Sequence, residues 1–389
     1  MSSKGKTVLI FSTAYSPAIG GAERAVEEIV ARLGNQYHFV LVTARLSSSL
    51  PRREQIDTVD VMRVGIGIPM IDKLLLAFRG AHIAERELKG KVADTVWGIM
   101  ASYGGLAARA YKEKHPETHF LLTLQEGDDL AHIARRACWL GKRFKSIFMR
   151  ANAVQAISNY LARWAEQMGA TAPITVVPNG VDIQKFTYRE SDFGGSGSPT
   201  SVKLITTSRL VKKNAVDDTI RALAHLSEEV TLTVVGDGVE RAVLEKLAKS
   251  LGVEKRVLFL GARAPGEIPQ VLARADIFVR PSLSEGLGNS FLEAFAVGLP
   301  VIATPVGGIP DLLHDPQGET SEEPKVSPLP QTGWFVEPRN PEAIAAAVRY
   351  ITDPAHQEHV THVTATARKL VEQQYTWESV AERMKPLLS

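Results

Sequence analysis

The chain has 389 residues, of which 44% are hydrophobic and 23% are charged, and its formal net charge is +2. This composition is that of a globular protein with room for two or three domains, and the charge balance gives no argument for nucleic-acid binding. The lone Cys138 excludes an internal disulfide, no cysteine or histidine spacing suits zinc, and no apolar run is long enough to cross a membrane. We therefore expect a cytoplasmic protein without structural zinc.

The first half of the chain alternates strands and helices. A glycine pair, Gly20 and Gly21, follows the first strand, and apolar residues at helical spacing then predict a helix over 22–33. This helix would connect two parallel strands in a right-handed βαβ unit. The predicted strands are 7–12, 39–43, 58–64, 120–124, 153–156 and 174–177. Residues 1–182 are therefore interpreted as one Rossmann-like, doubly wound domain.

A polar, glycine-rich stretch at 183–201 predicts a flexible linker. A second alternation of strands and helices follows over 202–370, and the helical residues 371–389 end the chain. Residues 315–332 are predicted to form an exposed loop. The predicted architecture is α/β, with two Rossmann-like doubly wound parallel-sheet domains facing a cleft. The predicted strands of the second domain are 203–207, 231–235, 257–260, 277–279 and 301–303.

Two carboxylates eight residues apart, Glu285 and Glu293, flank a glycine-bearing turn that leads into a helix. Backbone N–H groups at the start of a helix favour anions, so this turn predicts a phosphate site. Ser290 and Glu293 have an alternative interpretation as a capping box. Glu285 follows a predicted strand, where open α/β sheets bind ligands, and a functional role is favoured there.

Arg209, Lys212 and Lys213 follow a strand of the same domain. Such a cluster is often a solvated surface, but at a cleft it would neutralise a leaving diphosphate. Gly20, Gly21 and Gly236 follow strands and would let the backbone approach a ligand, although the Gly20-Gly21 pair lacks the spacing of a dinucleotide or P-loop site. No D-x-D triplet occurs, so no metal is expected.

The segment 135–150 carries six basic residues, no acids and several large apolar side chains. This pattern suits a helix that docks on anionic lipid. The alternative is an ordinary surface helix with a buried aromatic stripe.

Together these features resemble glycosyltransferase family 4, whose members are retaining, nucleotide-sugar-dependent enzymes of the GT-B fold. The resemblance covers nearly the whole chain, and it implies that the last helix, within 371–389, returns to the first domain. It rests on the E-x7-E stretch from Glu285 to Glu293 and on four further motifs: Ser208-Arg-Leu-Val, Val177-Pro-Asn-Gly-Val-Asp, Leu258-Phe-Leu-Gly and Pro300-Val-Ile-Ala-Thr-Pro-Val-Gly-Gly.

The resemblance implies a role for each matching position. Glu285 would contact the donor sugar, Glu293 the ribose, and Arg209 and Lys213 the diphosphate, so that Glu285, Arg209 and Lys213 form the catalytic set. The remaining donor-binding residues would be Gly20, Gly21, Gly236, Arg263, Gly286, Leu287, Gly288, Asn289 and Ser290.

Two positions depart from the family pattern. Many relatives have a lysine where this chain has Asn214, so Lys213 or Lys212 must reach the phosphates. Many relatives also have a histidine after the strand 120–124, where this chain has Gln125 and Glu126. These two residues are assigned to acceptor binding, and Glu126 alternatively to a base.

The implied function is retaining transfer of a hexose from GDP-mannose or a UDP-hexose to a hydroxyl of a glycan or lipid-linked acceptor. The family precedent suggests a bacterial-type enzyme of polysaccharide biosynthesis that needs no metal or other cofactor. The expected partners are the nucleotide sugar, the acceptor and a peripheral membrane contact through 135–150, without nucleic acid. A glycosidase using the two glutamates, a sugar-nucleotide epimerase and a non-catalytic nucleotide-sugar-binding protein are the alternatives.

Overall fold

The structure is a computed structural model, and it describes residues 5–17, 20–137, 140–187, 201–316 and 329–389. Its internal contacts divide the chain into two compact units. Unit 1 comprises Met1–Gly180 and Trp377–Ser389, and unit 2 comprises Val181–Thr376. The predicted linker at 183–201 and the predicted loop at 315–332 lie mostly outside the described residues.

Unit 1 contains a sheet in the order β3-β4-β2-β1-β5-β6-β7-β8. All neighbouring strands of this sheet pair in parallel except β3 and β4, which form an antiparallel hairpin. Its strands are β1 Lys6–Ser12, β2 Tyr37–Ala44, β3 Arg53–Ile56, β4 Val59–Val64, β5 Thr95–Ile99, β6 His119–Leu124, β7 Ala153–Ala156 and β8 Ile174–Val176. Its helices are α1 Gly21–Leu33, α2 Pro69–Glu87, α3 Tyr103–Lys114, α4 Leu130–Ala137, α5 Lys142–Met149, α6 Asn159–Gln167 and α13 Trp377–Met384.

The core of unit 1 follows from its apolar patterning. The predicted stripe on α1 is buried against the sheet, as expected for an amphipathic helix. α13 packs beside α1 in the same core, where Trp377, Val380 and Met384 are buried. Gly180 permits this contact, because a Cβ at that position would lie 2.9 Å from Trp377. Among the remaining helices, α2 packs on α3 and α3 packs on α5.

Unit 2 contains a parallel sheet in the order β11-β10-β9-β12-β13-β14. The central strands are apolar and buried, which is typical of parallel sheets covered on both faces. Its strands are β9 Val202–Thr207, β10 Val230–Val235, β11 Val257–Gly261, β12 Ile277–Arg280, β13 Val301–Ala303 and β14 Trp334–Phe335. Its helices are α7 Val216–Leu223, α8 Arg241–Ser250, α9 Ile268–Leu272, α10 Asn289–Val297, α11 Pro341–Thr352 and α12 Gln357–Gln374.

The predicted strands and the predicted helix 22–33 match these elements to within a few residues, whereas β3, β5 and β14 were not predicted. β14 has only two residues, and β3 is an exposed edge strand without a long apolar run. Within the described residues, no helix combines the length and the apolar character that a bilayer crossing requires.

Candidate functional site

The candidate site of unit 2 lies at the carboxyl edge of the sheet, where β9 and β12 are neighbours. The chain leaves β9 towards β10 on one side, and β12 leads to β13 on the other, so this is a topological switch point. Open α/β sheets bind ligands at such points. Arg209 follows β9 and Glu285 follows β12, so the fold brings these two predicted catalytic residues to the same point.

Glu285 is buried, with 8% of its surface exposed. Its Oε2 accepts a hydrogen bond from Nη2 of Arg280 at 2.5 Å, and its Oε1 accepts one from the backbone N–H of Gly286 at 3.2 Å. A buried carboxylate is stable when it is paired with a cation and hydrogen-bonded in this way. The carboxylate therefore has a fixed position at the carboxyl end of β12.

Arg280, the last residue of β12, was not singled out by the sequence analysis. Besides Glu285, its guanidinium donates to Ser290 Oγ at 2.6 Å and to Asn214 Oδ1 at 3.3 Å, and it lies 5.6 Å from the centre of the Phe291 ring. One buried cation thus connects three segments around the switch point. The available signal was an arginine at the end of an otherwise apolar strand, where a buried charge needs partners.

Asn214, one of the two departures from the family pattern in the sequence, has a structural role. It is buried, and its Nδ2 donates to the backbone oxygen of Arg209 at 2.6 Å. The backbone oxygen of Lys213 accepts from Leu283 N at 2.6 Å, which ties this segment to the loop that carries Glu285. Lys213 is half-buried, whereas Arg209 and Lys212 are exposed. The loop is therefore held by its backbone while its cations remain at the surface.

The helix after the Glu285 turn, α10, begins at Asn289. Gly288 is its N-cap, with φ of +92°, and a Cβ there would lie 2.5 Å from the Phe291 ring, so the turn requires glycine. The capping-box alternative for Ser290 is wrong, because Ser290 lies inside the helix and its Oγ accepts from Arg280. Glu293 lies one turn further on and is half-buried. Gly286 and Leu287 are buried within the turn.

Gly236 and Arg263 lie on the other side of β9. Gly236 has φ of +131°, and a Cβ would lie 1.9 Å from the backbone oxygen of Ser208, so this glycine lets the loops after β9 and β10 pack closely. Arg263 follows the edge strand β11, and its Nη1 lies 3.6 Å from Oε1 of Glu267. Three strand spacings separate β11 from β12, or about 14 Å. The sheet therefore places Arg263 further from Glu285 than Arg209 or Gly236.

In unit 1, the predicted residues lie at the carboxyl ends of β1 and β6. Gly20 precedes α1, and its N–H donates to Glu23 Oε2 at 2.8 Å, while Gly21 is the first helical residue. Gln125 is half-buried and its Oε1 accepts from Asn179 Nδ2 at 3.0 Å, which connects it to the Val177-Pro-Asn-Gly motif. The switch point of this sheet is at β1 and β5.

Glu126 is buried, with 3% of its surface exposed, and its Oε1 accepts from Ala101 N at 2.6 Å. Its Oε2 has no hydrogen-bond partner among the described residues. Burial raises the pKa of this carboxyl from 4.5 to about 7, although hydrogen bonds from backbone N–H groups, that of Ala101 first, act in the opposite direction. Glu126 therefore exchanges a proton near neutral pH and supports the turn after β5.

This raised pKa predicts a pH-dependent contribution to stability. Because the folded state holds the proton more tightly, the contribution is full below pH 4.5 and is lost as the pH rises through about 7. The free energy of unfolding is measured in urea at pH 4.5 and at pH 8.5. Between these two pH values it should fall by about 3 kcal/mol more for the wild type than for Glu126→Gln. The exposed Glu166→Gln is the control and should behave as the wild type. Equal losses in wild type and Glu126→Gln would contradict the raised pKa.

The basic segment at 135–150 is described in part. In α5, Phe144, Ile147 and Phe148 are buried, and Phe148 packs edge-on against Trp164 at 5.1 Å. Lys142, Arg143 and Lys145 are exposed. The alternative interpretation, a surface helix with a buried aromatic stripe, describes α5. Lipid contact through this helix would depend on charge, because the three apolar side chains lie in the core.

Two family models match the chain, one in each of its two halves. The family model "Glycosyltransferase Family 4" matches residues 19–185, and "Glycosyl transferases group 1" matches residues 189–370. The chain is 28% identical over 414 aligned residues to the GDP-mannose-dependent alpha-(1-6)-phosphatidylinositol monomannoside mannosyltransferase of Mycobacterium tuberculosis, with 98% of this chain and 97% of the relative covered.

Two further proteins show the extent of the similarity. The protein of the same description from Mycolicibacterium smegmatis is 30% identical over 321 residues, or 76% of each chain. The crystal structure of Anabaena HepE in complex with UDP-glucose superimposes with a TM-score of 0.76 at 18% identity, covering 98% of this chain and 99% of HepE. These matches confirm the family and the fold predicted from the motifs. The chain belongs to glycosyltransferase family 4 and is a hexosyltransferase with the GT-B fold.

Proposed function

We propose that this enzyme transfers mannose from GDP-mannose, with retention of the anomeric configuration, to a hydroxyl of a lipid-linked acceptor. The observation that carries the proposal is the similarity, over 98% of the chain, to a relative named as a GDP-mannose-dependent phosphatidylinositol monomannoside mannosyltransferase. A UDP-hexose donor and a glycan acceptor are the second candidates. HepE, whose structure contains UDP-glucose, has only the fold in common with this chain at 18% identity.

The donor would bind at the β9/β12 switch point of unit 2. Glu285, fixed by Arg280, would accept hydrogen bonds from the hexose hydroxyls. Arg209 and Lys213 would pair with the diphosphate, and the N–H groups at the start of α10 would add their positive potential. Glu293, one turn inside α10, would bind the ribose.

The chemistry follows from stabilising the leaving group. The bond between the anomeric carbon and the phosphate oxygen breaks, and the departing diphosphate takes up negative charge that Arg209, Lys213 and α10 stabilise. The acceptor oxygen then forms the new bond on the same face of the sugar. Its proton passes to the departing phosphate oxygen, so no covalent intermediate with the enzyme is required.

The acceptor would be held by unit 1. Gln125 can donate a hydrogen bond to a sugar hydroxyl or accept one from it, and Glu126 titrates near neutral pH.

We also propose that the reaction needs no metal ion. Arginine and lysine would neutralise the diphosphate in place of a metal ion. Chelation with EDTA is therefore expected to leave turnover unchanged.

A thermal-shift screen and a product assay test the donor. A ligand that binds the native state raises the melting temperature, so GDP and GDP-mannose should raise it more than UDP, ADP or their sugars at equal concentration. NMR of the product from GDP-mannose should show the α-configuration. If only UDP-hexoses raise the melting temperature, the donor is a UDP-hexose and not GDP-mannose. A β-linked product would exclude transfer with retention of the anomeric configuration.

Arg209→Ala is expected to weaken binding of the diphosphate more than that of the nucleoside. Loss of one charge-assisted contact should raise the Kd for GDP by about 10- to 100-fold and leave the Kd for guanosine unchanged, as measured by calorimetry. Arg221→Ala, an exposed arginine on α7, is the matched control. The phosphate role of Arg209 is wrong if GDP binds the two variants equally.

A further inference from the structure

Unit 1 exposes a group of large apolar side chains on one side of α2 and on the loop before it. Met70 is 60% exposed, Phe78 is 55% exposed and Ile66 is 53% exposed. Monomeric globular proteins rarely leave contiguous apolar patches of this kind uncovered unless they bind something. We call this group the α2 apolar surface, and its members are Ile66, Ile68, Met70, Ile71, Leu74 and Phe78.

The exposure of this surface is built into the fold. Asp72 is fully buried, and its carboxylate accepts from Ile66 N at 2.8 Å and from Gly67 N at 2.7 Å. Gly65 has φ of +121°, and a Cβ there would lie 2.1 Å from the Asp72 carboxyl group. The loop that presents Ile66 is therefore held in place by a buried acid on the helix.

The exposed side of α2 is divided between apolar and basic residues. Met70, Ile71, Leu74 and Phe78 fall within about 100° of the helix circumference, given 3.6 residues per turn. Three exposed residues, Arg79, His82 and Arg86, occupy the adjoining arc of about 60°. One acid, Glu85, lies within the apolar arc, and its carboxylate pairs with Lys114 at 2.8 Å, with His115 at 3.1 Å and with His82 at 3.5 Å.

An apolar stripe beside cations is the pattern of a helix that lies in a membrane interface, with its apolar residues among the acyl chains and its cations on anionic head groups. The sequence predicted such a contact at 135–150, but Phe144, Ile147 and Phe148 of α5 are in the core, and Met149 is the one apolar side chain of this helix that is exposed. α5 belongs to the same layer, since α3 packs against both α2 and α5. Its exposed cations would add to the attraction for anionic lipid.

We propose that the α2 apolar surface docks unit 1 on an anionic lipid bilayer. The loop before α2 leaves the carboxyl end of β4, at the same edge of the sheet as Gln125 and Glu126 after β6. Four strand spacings separate β4 from β6, or about 19 Å. Docking through this surface would therefore hold the candidate acceptor residues near the head groups. The proposal rests on the proposed function in one respect, the lipid-linked nature of the acceptor.

Flotation with vesicles tests the surface directly. The full chain should float with vesicles of phosphatidylcholine and phosphatidylglycerol, and Met70→Gln/Phe78→Gln should reduce the bound fraction at least about tenfold, because both side chains would leave the acyl region. Arg79→Ala/Arg86→Ala should weaken binding about fivefold per arginine on anionic vesicles and little on pure phosphatidylcholine. Val239→Gln/Val243→Gln changes two exposed apolar residues of unit 2 and is the matched control.

Three results would overturn the inference. They are equal flotation of wild type and Met70→Gln/Phe78→Gln, no flotation of the wild type, or sedimentation showing that the wild type is a dimer and this variant a monomer. The last result would assign the surface to a second copy of the chain. Turnover of GDP-mannose with a water-soluble acceptor distinguishes the two proposals. The Met70→Gln/Phe78→Gln variant should retain this turnover. If the wild type shows no such turnover, that result counts against the proposed function alone.

Discussion

Glu285→Gln should reduce sugar transfer by about 10³-fold while the protein remains folded. The amide keeps the size of the carboxylate and one acceptor oxygen, but it removes the negative charge that pairs with Arg280 and that we propose to face the donor sugar. The measurement is kcat/KM for GDP-mannose with a lipid-linked acceptor, together with the melting temperature and the Kd for GDP. We expect the Kd for GDP to change little, because the carboxylate is assigned to the hexose.

Glu245→Gln provides the control for this substitution. Glu245 is an exposed acid on α8 of the same unit that pairs with Arg241 at 2.9 Å, so the variant loses a surface ion pair and should keep full activity. Near-normal turnover by Glu285→Gln would remove Glu285 from the mechanism. A large loss of melting temperature in Glu285→Gln alone would instead assign the Arg280 pair to stability.

Gly307→Ala should reduce transfer by about 10²-fold through a displacement of Glu285. Gly307 has φ of +60°, and a Cβ there would lie 1.9 Å from the backbone oxygen of Glu285, so the loop must move by more than 1 Å to restore an ordinary contact. The same oxygen accepts from Gly308 N at 3.0 Å, and this bond would be strained or lost. The left-handed backbone adds a stability cost of about 1–3 kcal/mol.

Gly266→Ala is the matched control for Gly307→Ala, since Gly266 is exposed in the same unit and a Cβ there would meet no atom within 4 Å. Both variants should be compared in kcat/KM and in urea unfolding. If Gly307→Ala loses stability but keeps its activity, then the loop after β13 does not position Glu285 for transfer.

The regular elements were predictable because their cause is local. Buried parallel strands are short apolar runs, and helices such as α1 carry apolar residues at 3.6-residue spacing, so both patterns are visible in the sequence. The same holds for the strand-end positions of Arg209, Glu285 and Gln125, since the carboxyl ends of parallel strands share one edge. The family motifs added the donor and the type of reaction, which the comparisons support in their coarser form.

The contacts around these residues were not predictable, because they join segments far apart in the chain. Arg280 reaches Asn214, 66 positions away, and the Glu285 loop packs on Gly307 through a backbone oxygen that no pattern of side chains reveals. The capping-box interpretation of Ser290 was wrong for the same reason, since a distant arginine uses the serine hydroxyl.

The sequence by itself determined the fold class, the family and the strand ends that carry the polar residues, because periodicity and motif spacing are local properties. Only the tertiary structure decided which side chains are buried and what they contact. In the structure the aromatic residues of α5 lie in the core, whereas Met70 and Phe78 of α2 are exposed, although both helices are amphipathic in sequence. The physical reason is that burial depends on which faces of neighbouring elements pack together, and that choice is made by contacts across the whole unit.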